Sequence, residues 1–398
     1  MADKETKRSD SEIITMDADT HEKHHHLGDS DNDDNNFQVI KSSGHHHHHH
    51  HSEASRKRRK KHKRKKLIKR ALLITGISIL SLAVILGAVY AVLYLVGKDE
   101  MQPDNLKIQA PMNVQTADNG QYVYYKGHKY KYKNDIINML FIGVDQNNRH
   151  VTGGIGNNGM SDVIAVAAID SKTNKATLIN IPRDIITDVK VYDANGGYTG
   201  VEKMQIALSF SYGDGEDTSC INTMAAVRSL FYNVPLSSYF ALHMEGVPQL
   251  NDSIGGVTVT SPETIGQFVE GETYHLMGDD ALSFVHVRSK DTADANLKRN
   301  ERQKVYLSSF IKEFIKQTKA DIGTPVRLFN ASKPYSCTNL NANRITYLAT
   351  EFIMNRNIKI DMKSVPVTVK QVENSAENYV KEEEFYDLFI NIFYEKMD

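Results

Sequence analysis

Residues 71–97 carry no charged side chain, and this property constrains the chain more than any other. Leu, Ile, Val, Ala and Tyr fill the segment, interrupted by Thr75, Ser78, Ser81 and a few glycines. About twenty apolar helical residues cross a hydrocarbon core of roughly 30 Å, so a run of this length predicts a membrane-spanning helix with some tilt. Twelve Lys and Arg residues lie between Arg56 and Arg70, just before the run. By the positive-inside rule they place the N-terminus in the cytoplasm and everything after Lys98 outside, a single-pass protein of the cell membrane. A cleaved signal peptide fits less well, because its apolar region is shorter and ends in a small-residue cleavage site.

Residues 1–70 are predicted to form a disordered cytoplasmic tail, since they have too few large apolar side chains to offset the entropy of ordering. The net charge of −1 conceals an acidic start, with Asp29, Asp31, Asp33 and Asp34, followed by the basic run. Seven consecutive histidines, His45 to His51, read either as a metal-binding tract or as low-complexity tail. A basic cluster can neutralise nucleic-acid phosphates. Directly before a membrane helix it is better explained by anionic lipid headgroups, so the expected partners include membrane lipids and no nucleic acid. Cys220 and Cys337 both fall outside, where a disulfide persists. Two buried apolar thiols remain the alternative.

After the apolar run at 71–97, residues 98–134 read as a polar spacer, with Tyr and Lys alternating over 124–133 in the manner of a hairpin edge. Apolar strands are predicted at 136–144, 162–169 and 176–181, the last two separated by a turn at 170–174. A helix carrying Ile221, Met224, Ala225, Arg228 and Phe231 follows, then strands at 239–244 and 257–260 on either side of a short helix and the Gly255–Gly256 turn. A strand is predicted over 282–287. Leu307, Phe310, Ile311, Phe314 and Ile315 mark an amphipathic helix. A helix near 345–354, a strand near 358–369 and a helix over 382–394 complete the order. The expected fold is α/β, a mixed and largely buried central sheet with helices on both faces. Residues 135–318 form its main part and 319–398 complete the same domain.

Loops at strand ends of such a sheet share a crevice, and charged residues gather there. Asp145 follows the first strand and Asp162 opens the second, while Arg183 and Asp184 follow the third just past Pro182, where pairing stops. Two carboxylates and an arginine so placed suit a hydrated magnesium ion and a phosphate; loop caps and local ion pairs are the bland reading. Arg299, Arg302 and Gln303 share a helix face at i, i+3 and i+4. The first turn of that helix favours an anion, such as a phosphate; a solvated basic turn is the alternative.

In order and spacing, Asn138 to Asp145, Ser161-Asp162, Ile181-Pro182-Arg183-Asp184, Gly255-Gly256-Val257, Gly278 with Ala281-Leu282, and Arg299-x-x-Arg302-Gln303 resemble the LytR-CpsA-Psr domain. The resemblance covers about residues 135–318. It implies a cell-envelope enzyme of a Gram-positive-type bacterium that moves an anionic glycopolymer from an undecaprenyl-pyrophosphate carrier to peptidoglycan as a phosphodiester. It further implies Mg2+ on Asp145 and Asp162, with Arg183, Asp184, His286, Arg288, Arg299, Arg302 and Gln303 around the pyrophosphate. Of these, Asp145, Asp162, Arg183, Arg288 and Arg299 would act in catalysis. Three positions depart from the family pattern: Met160 and His286 stand where arginines are usual, and Asn296 where an aspartate is usual. Asp294, Lys290 and Lys298 are the nearest replacements, and the glycine- and asparagine-rich stretch 146–160 reads as a flexible loop over the crevice. A non-catalytic envelope protein that binds lipid-linked intermediates or peptidoglycan is the alternative function.

Overall fold

A computed structural model describes residues 53–102, 106–146, 153–287, 295–321, 323–354, 358–372 and 375–397. The histidine tract lies outside them. The chain divides into two compact units, Met1–Leu73 and Ile74–Asp398. Helix α1 runs Glu53–Met101, so residues 53–70 are helical where a disordered tail was expected. Lys and Arg are good helix formers and here continue straight into the apolar run. Among the described residues α1 is the one helix long and apolar enough to cross a membrane.

In the second unit a small sheet comes first, built from β1 (Gln115–Ala117), β2 (Tyr122–Tyr125) and β3 (His128–Tyr132). The β2–β3 hairpin is the Tyr-Lys alternation of the sequence. Its outer partner is the last strand of the chain, Tyr394–Lys396, antiparallel to β3. The segment expected as a spacer is therefore part of the folded unit, because Tyr132, Tyr394 and Val123 are buried in the main core.

The central sheet contains β4 (Ile136–Val144), β5 (Ser161–Asp170), β6 (Lys175–Ile181), β9 (Ser238–His243), β12 (Ser336–Thr338) and β13 (Lys359–Ser364), in the order β12-β9-β4-β5-β6-β13. The strand β4 pairs parallel with β9 and antiparallel with β5; β5 is antiparallel to β6, and β6 parallel to β13. One edge of the sheet thus collects the C-terminal ends of β4, β6, β9 and β13 together with the N-terminal end of β5. The C-terminal part of the chain supplies both outer strands. Ile136, Leu140, Ile142 and Val144 point to one face and Ile137 to the other, and all are buried, which is why β4 reads as an apolar run broken only by Asn138 and Gly143.

Between β6 and β9 lie the hairpin β7 (Ile186–Tyr192) and β8 (Tyr198–Gln205), then α2 (Leu208–Ser211) and α3 (Asp217–Leu230). A second core surrounds Val257, Phe268, Phe284 and Tyr306. It joins α4 (Gly246–Ser253), β10 (Val257–Thr260), β11 (Thr273–Leu276), α5 (Asp279–His286), α6 (Ala295–Ala320) and α7 (Thr324–Ser332). The strand predicted over 282–287 is in fact the helix α5. Asp279 and Asp280 favour a helix N-terminus, and Ala281 and Phe284, three apart, are the buried pair. The C-terminal region contributes α8 (Ala342–Met354), the hairpin β14 (Val367–Val372) and β15 (Ser375–Val380), then α9 (Glu382–Phe393) and β16, the strand paired with β3. Cys220 and Cys337 are free and buried. Its hydrogen bond to Cys337, and then burial, hold the Cys220 thiol well above its usual pKa.

Candidate active site

The site forms at the sheet edge where β4 and β6 end and β5 begins. Register there is irregular: Gly143 pairs with Val163 but Val144 with Ser161, so Asp162 is the extra residue of a β-bulge. A bulge re-aims the side chain it carries. The Asp162 carboxylate meets Arg183 through one oxygen and Arg299, at 3.4 Å, through the other. Only 11% of the Asp162 side chain and 9% of that of Arg299 are exposed, so this is a nearly dry arrangement. Arg183 continues the cluster, with Nε 3.6 Å from Asp184 Oδ1.

Asp145 sits beside this cluster, held by the loop that precedes β5. The Met160 N–H donates to Asp145 Oδ1 at 2.5 Å, and the Asp145 N–H donates to the Met160 carbonyl at 3.0 Å. Gly159 makes that approach feasible: its φ is +79°, and a Cβ there would stand 3.2 Å from Asp145 Oδ1. The stretch expected to be flexible is tied down over its described part. Asn158 Nδ2 donates to the Gly213 carbonyl at 2.6 Å, Ser211 Oγ to the Gly159 carbonyl, and the Gly156 N–H to the Ser211 carbonyl at 2.8 Å. Residues 147–152 lie outside the described residues. Met160 turns its thioether to Arg183, whose Nη2 lies 3.4 Å from Sδ.

The remaining expected residues divide. Arg302 is fully buried, paired with Glu263 at 3.2 Å and donating to the Val287 carbonyl. Gln303 is half-buried and donates to the Val285 carbonyl at 3.2 Å. Both side chains therefore hold the end of α5 against α6, while Arg299 turns to Asp162. His286 is exposed at the last position of α5. Arg288, Lys290, Asp294 and the Asn296 side chain lie outside the described residues, and Lys298 is exposed. His243 was not singled out from sequence. It is buried at the end of β9, is the register partner of Val144, and places its ring 6.4 Å from that of Phe210. Nothing in a single sequence distinguishes it from any other strand histidine.

Burial raises the Asp184 pKa more than Arg183 and Arg299 lower it. A folded pKa above the unfolded one means that the native state binds more protons between the two values, so stability falls as pH rises through the folded pKa. Asp184→Asn, which mimics the neutral form, is expected to match or exceed the parent in urea midpoint at pH 7, with the difference vanishing at about pH 4, near the unfolded carboxylate pKa. A clearly less stable variant at pH 7 would show that the Arg183 contact outweighs desolvation.

The profile of the LytR_cpsA_psr family matches residues 104–391. The chain belongs to that family. Among curated relatives, a polyisoprenyl-teichoic acid–peptidoglycan teichoic acid transferase TagU of Oceanobacillus iheyensis is 28% identical over 235 residues, covering 57% of this chain and 66% of the relative. The protein of that name in Halalkalibacterium halodurans is 29% identical over 184 residues, covering 45% and 53%. The matched stretches thus span about half to two thirds of those relatives' length. Among solved structures, protein gbs0355 of Streptococcus agalactiae superposes with a TM-score of 0.53 at 20% identity, covering 65% of this chain and 86% of that one. TagV of B. subtilis does so with a TM-score of 0.50 at 20% identity, covering 65% and 95%. These likenesses establish the LytR_cpsA_psr fold, a mixed sheet between helices. The family match also begins ahead of residue 135, within the segment whose strands pair with the chain's end.

Proposed function

We propose that this protein transfers an anionic glycopolymer from an undecaprenyl-pyrophosphate carrier to a peptidoglycan hydroxyl, outside the membrane that α1 crosses. The supporting observation is the Arg183–Asp162–Arg299 cluster at the sheet edge, in a family whose curated relatives are named teichoic acid transferases. Phosphoryl transfer asks mainly for positioning and charge neutralisation. Arginine's planar fork suits phosphate oxygens, and a guanidinium already oriented by Asp162 loses little freedom when substrate arrives. The peptidoglycan hydroxyl attacks the phosphorus on the glycopolymer side, and the bond from that phosphorus to the bridging oxygen breaks. The phosphodiester forms as the carrier monophosphate leaves with the bridging oxygen, and the hydroxyl proton passes to solvent.

The acidic side chains support a role for a divalent cation. Asp145, Asp162 and Asp184 outnumber Arg183 and Arg299, so this set alone would repel a pyrophosphate. No group of three or more metal-ligating side chains occurs among the described residues. That donor set fits Mg2+, which takes one or two carboxylates and completes its octahedron with water and substrate phosphates. Asp145 and Asp162 would hold it, and the ion would supply charge neutralisation on the transferring phosphoryl group.

The test uses the full chain in lipid vesicles with an undecaprenyl-pyrophosphate-linked oligomer and peptidoglycan fragments. Turnover is expected to require Mg2+ and to fall in Asp145→Asn by roughly 100-fold or more, at least about 2.7 kcal/mol at about 1.36 kcal/mol per tenfold. Turnover unchanged in Asp145→Asn removes the metal assignment. Tight lipid binding with no turnover in the parent removes the enzyme and leaves the non-catalytic binder.

A further inference from the structure

We propose that α8 is a second membrane-contacting element, its C-terminal turn seated in the outer leaflet beside α1. This rests on reading α1 as a membrane span. The two helices are locked together at the outer end of the apolar run. Gly97 lets their backbones touch: a Cβ there would fall 2.1 Å from the Asn343 carbonyl oxygen. Glu100 receives hydrogen bonds from Asn341, Asn343 and Arg344, at 2.8, 3.1 and 2.9 Å. Further along, the Tyr94 and Tyr347 rings stand 5.4 Å apart, Tyr94 Oη donates to Glu351 at 3.0 Å, and Tyr90 Oη lies 2.7 Å from Thr350 Oγ1.

The order of these contacts fixes direction. As α8 advances from Asn343 to Thr350, its partners on α1 run back from Gly97 to Tyr90. The helices are antiparallel, and the C-terminal end of α8 points toward the middle of the apolar run. Depth follows from length. The run is about 40 Å long at about 1.5 Å per residue, about 10 Å more than a hydrocarbon core. With its basic end at the cytoplasmic surface, hydrocarbon ends near Tyr90 and Tyr94, the level at which tyrosines settle in membrane proteins. Residues after Thr350 then lie at or just below that level.

Their chemistry fits lipid. Phe352 and Ile353 are half-buried and Met354 is 74% exposed, an apolar tip of α8 between Glu351 and Arg356. A single exposed methionine on a soluble face means little. One carried to the interface by two hydrogen-bonded tyrosines of a spanning helix is placed where apolar side chains gain from burial. Phe352 also lies 6.3 Å from Phe314 of α6, so the element that meets the lipid packs against the helix bearing Arg299.

The chain contains no tryptophan, so a single introduced one reports position without background. Full-length Met354→Trp, Ile79→Trp within α1, and Val369→Trp on the exposed strand β14 are reconstituted in vesicles without brominated lipid, with lipids brominated near the headgroup end of the acyl chains, and with lipids brominated near the chain ends, which reach position 79. Fluorescence of Met354→Trp is expected to fall to about half or less in brominated lipid, since interfacial helices bury about 5–10 Å into the headgroup and acyl boundary. Val369→Trp is expected to be unchanged. Quenching at 79 but not at 354 overturns the proposal and leaves the span intact. No quenching at either position overturns the span itself and this inference with it. Shielding of position 354 from aqueous acrylamide without lipid quenching assigns the tip to a protein partner, which also overturns the proposal.

Discussion

Asp162→Ala is expected to lower the unfolding free energy of the full chain in detergent by about 3–5 kcal/mol, the cost of removing one partner from a buried ion pair. The carboxylate lies between Arg183 and Arg299 with only 11% of its side chain exposed. Without it two guanidiniums face each other in a nearly dry site. Asp145→Ala is the contrast. Its carboxylate accepts one backbone bond, from Met160, so its loss is expected to cost about 1 kcal/mol. Both variants would stop turnover, yet urea unfolding separates them, because only the first should also shift the midpoint strongly. Arg299→Ala in the Asp162→Ala background should add less than it costs alone, as expected for residues that share one network. An Asp162→Ala protein within about 1 kcal/mol of the parent would mean that both arginines relax into solvent.

The contrast between those two aspartates separates what the sequence discloses from what it conceals. Apolar runs buried on both faces announced β4, β5 and β6 almost to the residue, and the i, i+3, i+4 pattern announced α6. Residues at the ends of those elements, Asp145, Asp162, Arg183 and Asp184, followed from the topology. Two features were not legible. The bulge at Asp162 depends on strand register, which a one-residue slip changes without altering composition. The partner of Arg302 is Glu263, in an irregular segment with no periodic signal. Short segments misled for a related reason: residues 282–287 are apolar enough for either a strand or one helical turn, and only packing around Phe284 decides.

Arg302 carries the second large expected effect, because three residues along α6 from Arg299 it does a different task. It is fully buried, paired with Glu263 and bonded to the Val287 carbonyl at the end of α5. Burial lowers its pKa while Glu263 raises it, the balance of a charge held in the interior by its counterion. Arg302→Ala leaves Glu263 without its partner and opens a cavity, so a loss of about 3–5 kcal/mol is expected. Replacing both partners, as Arg302→Met with Glu263→Leu, should recover most of it, since apolar residues of similar volume often equal a buried ion pair. The Val287 carbonyl loses a donor in that protein, but Val287 is 39% exposed and can accept from water. Turnover of the double variant then distinguishes strut from ligand. Recovery of stability together with transfer activity identifies Arg302 as a strut that sets the path from α5 into α6. Recovery of stability with activity still absent returns Arg302 to the pyrophosphate, and would require substrate binding to draw it out of the interior.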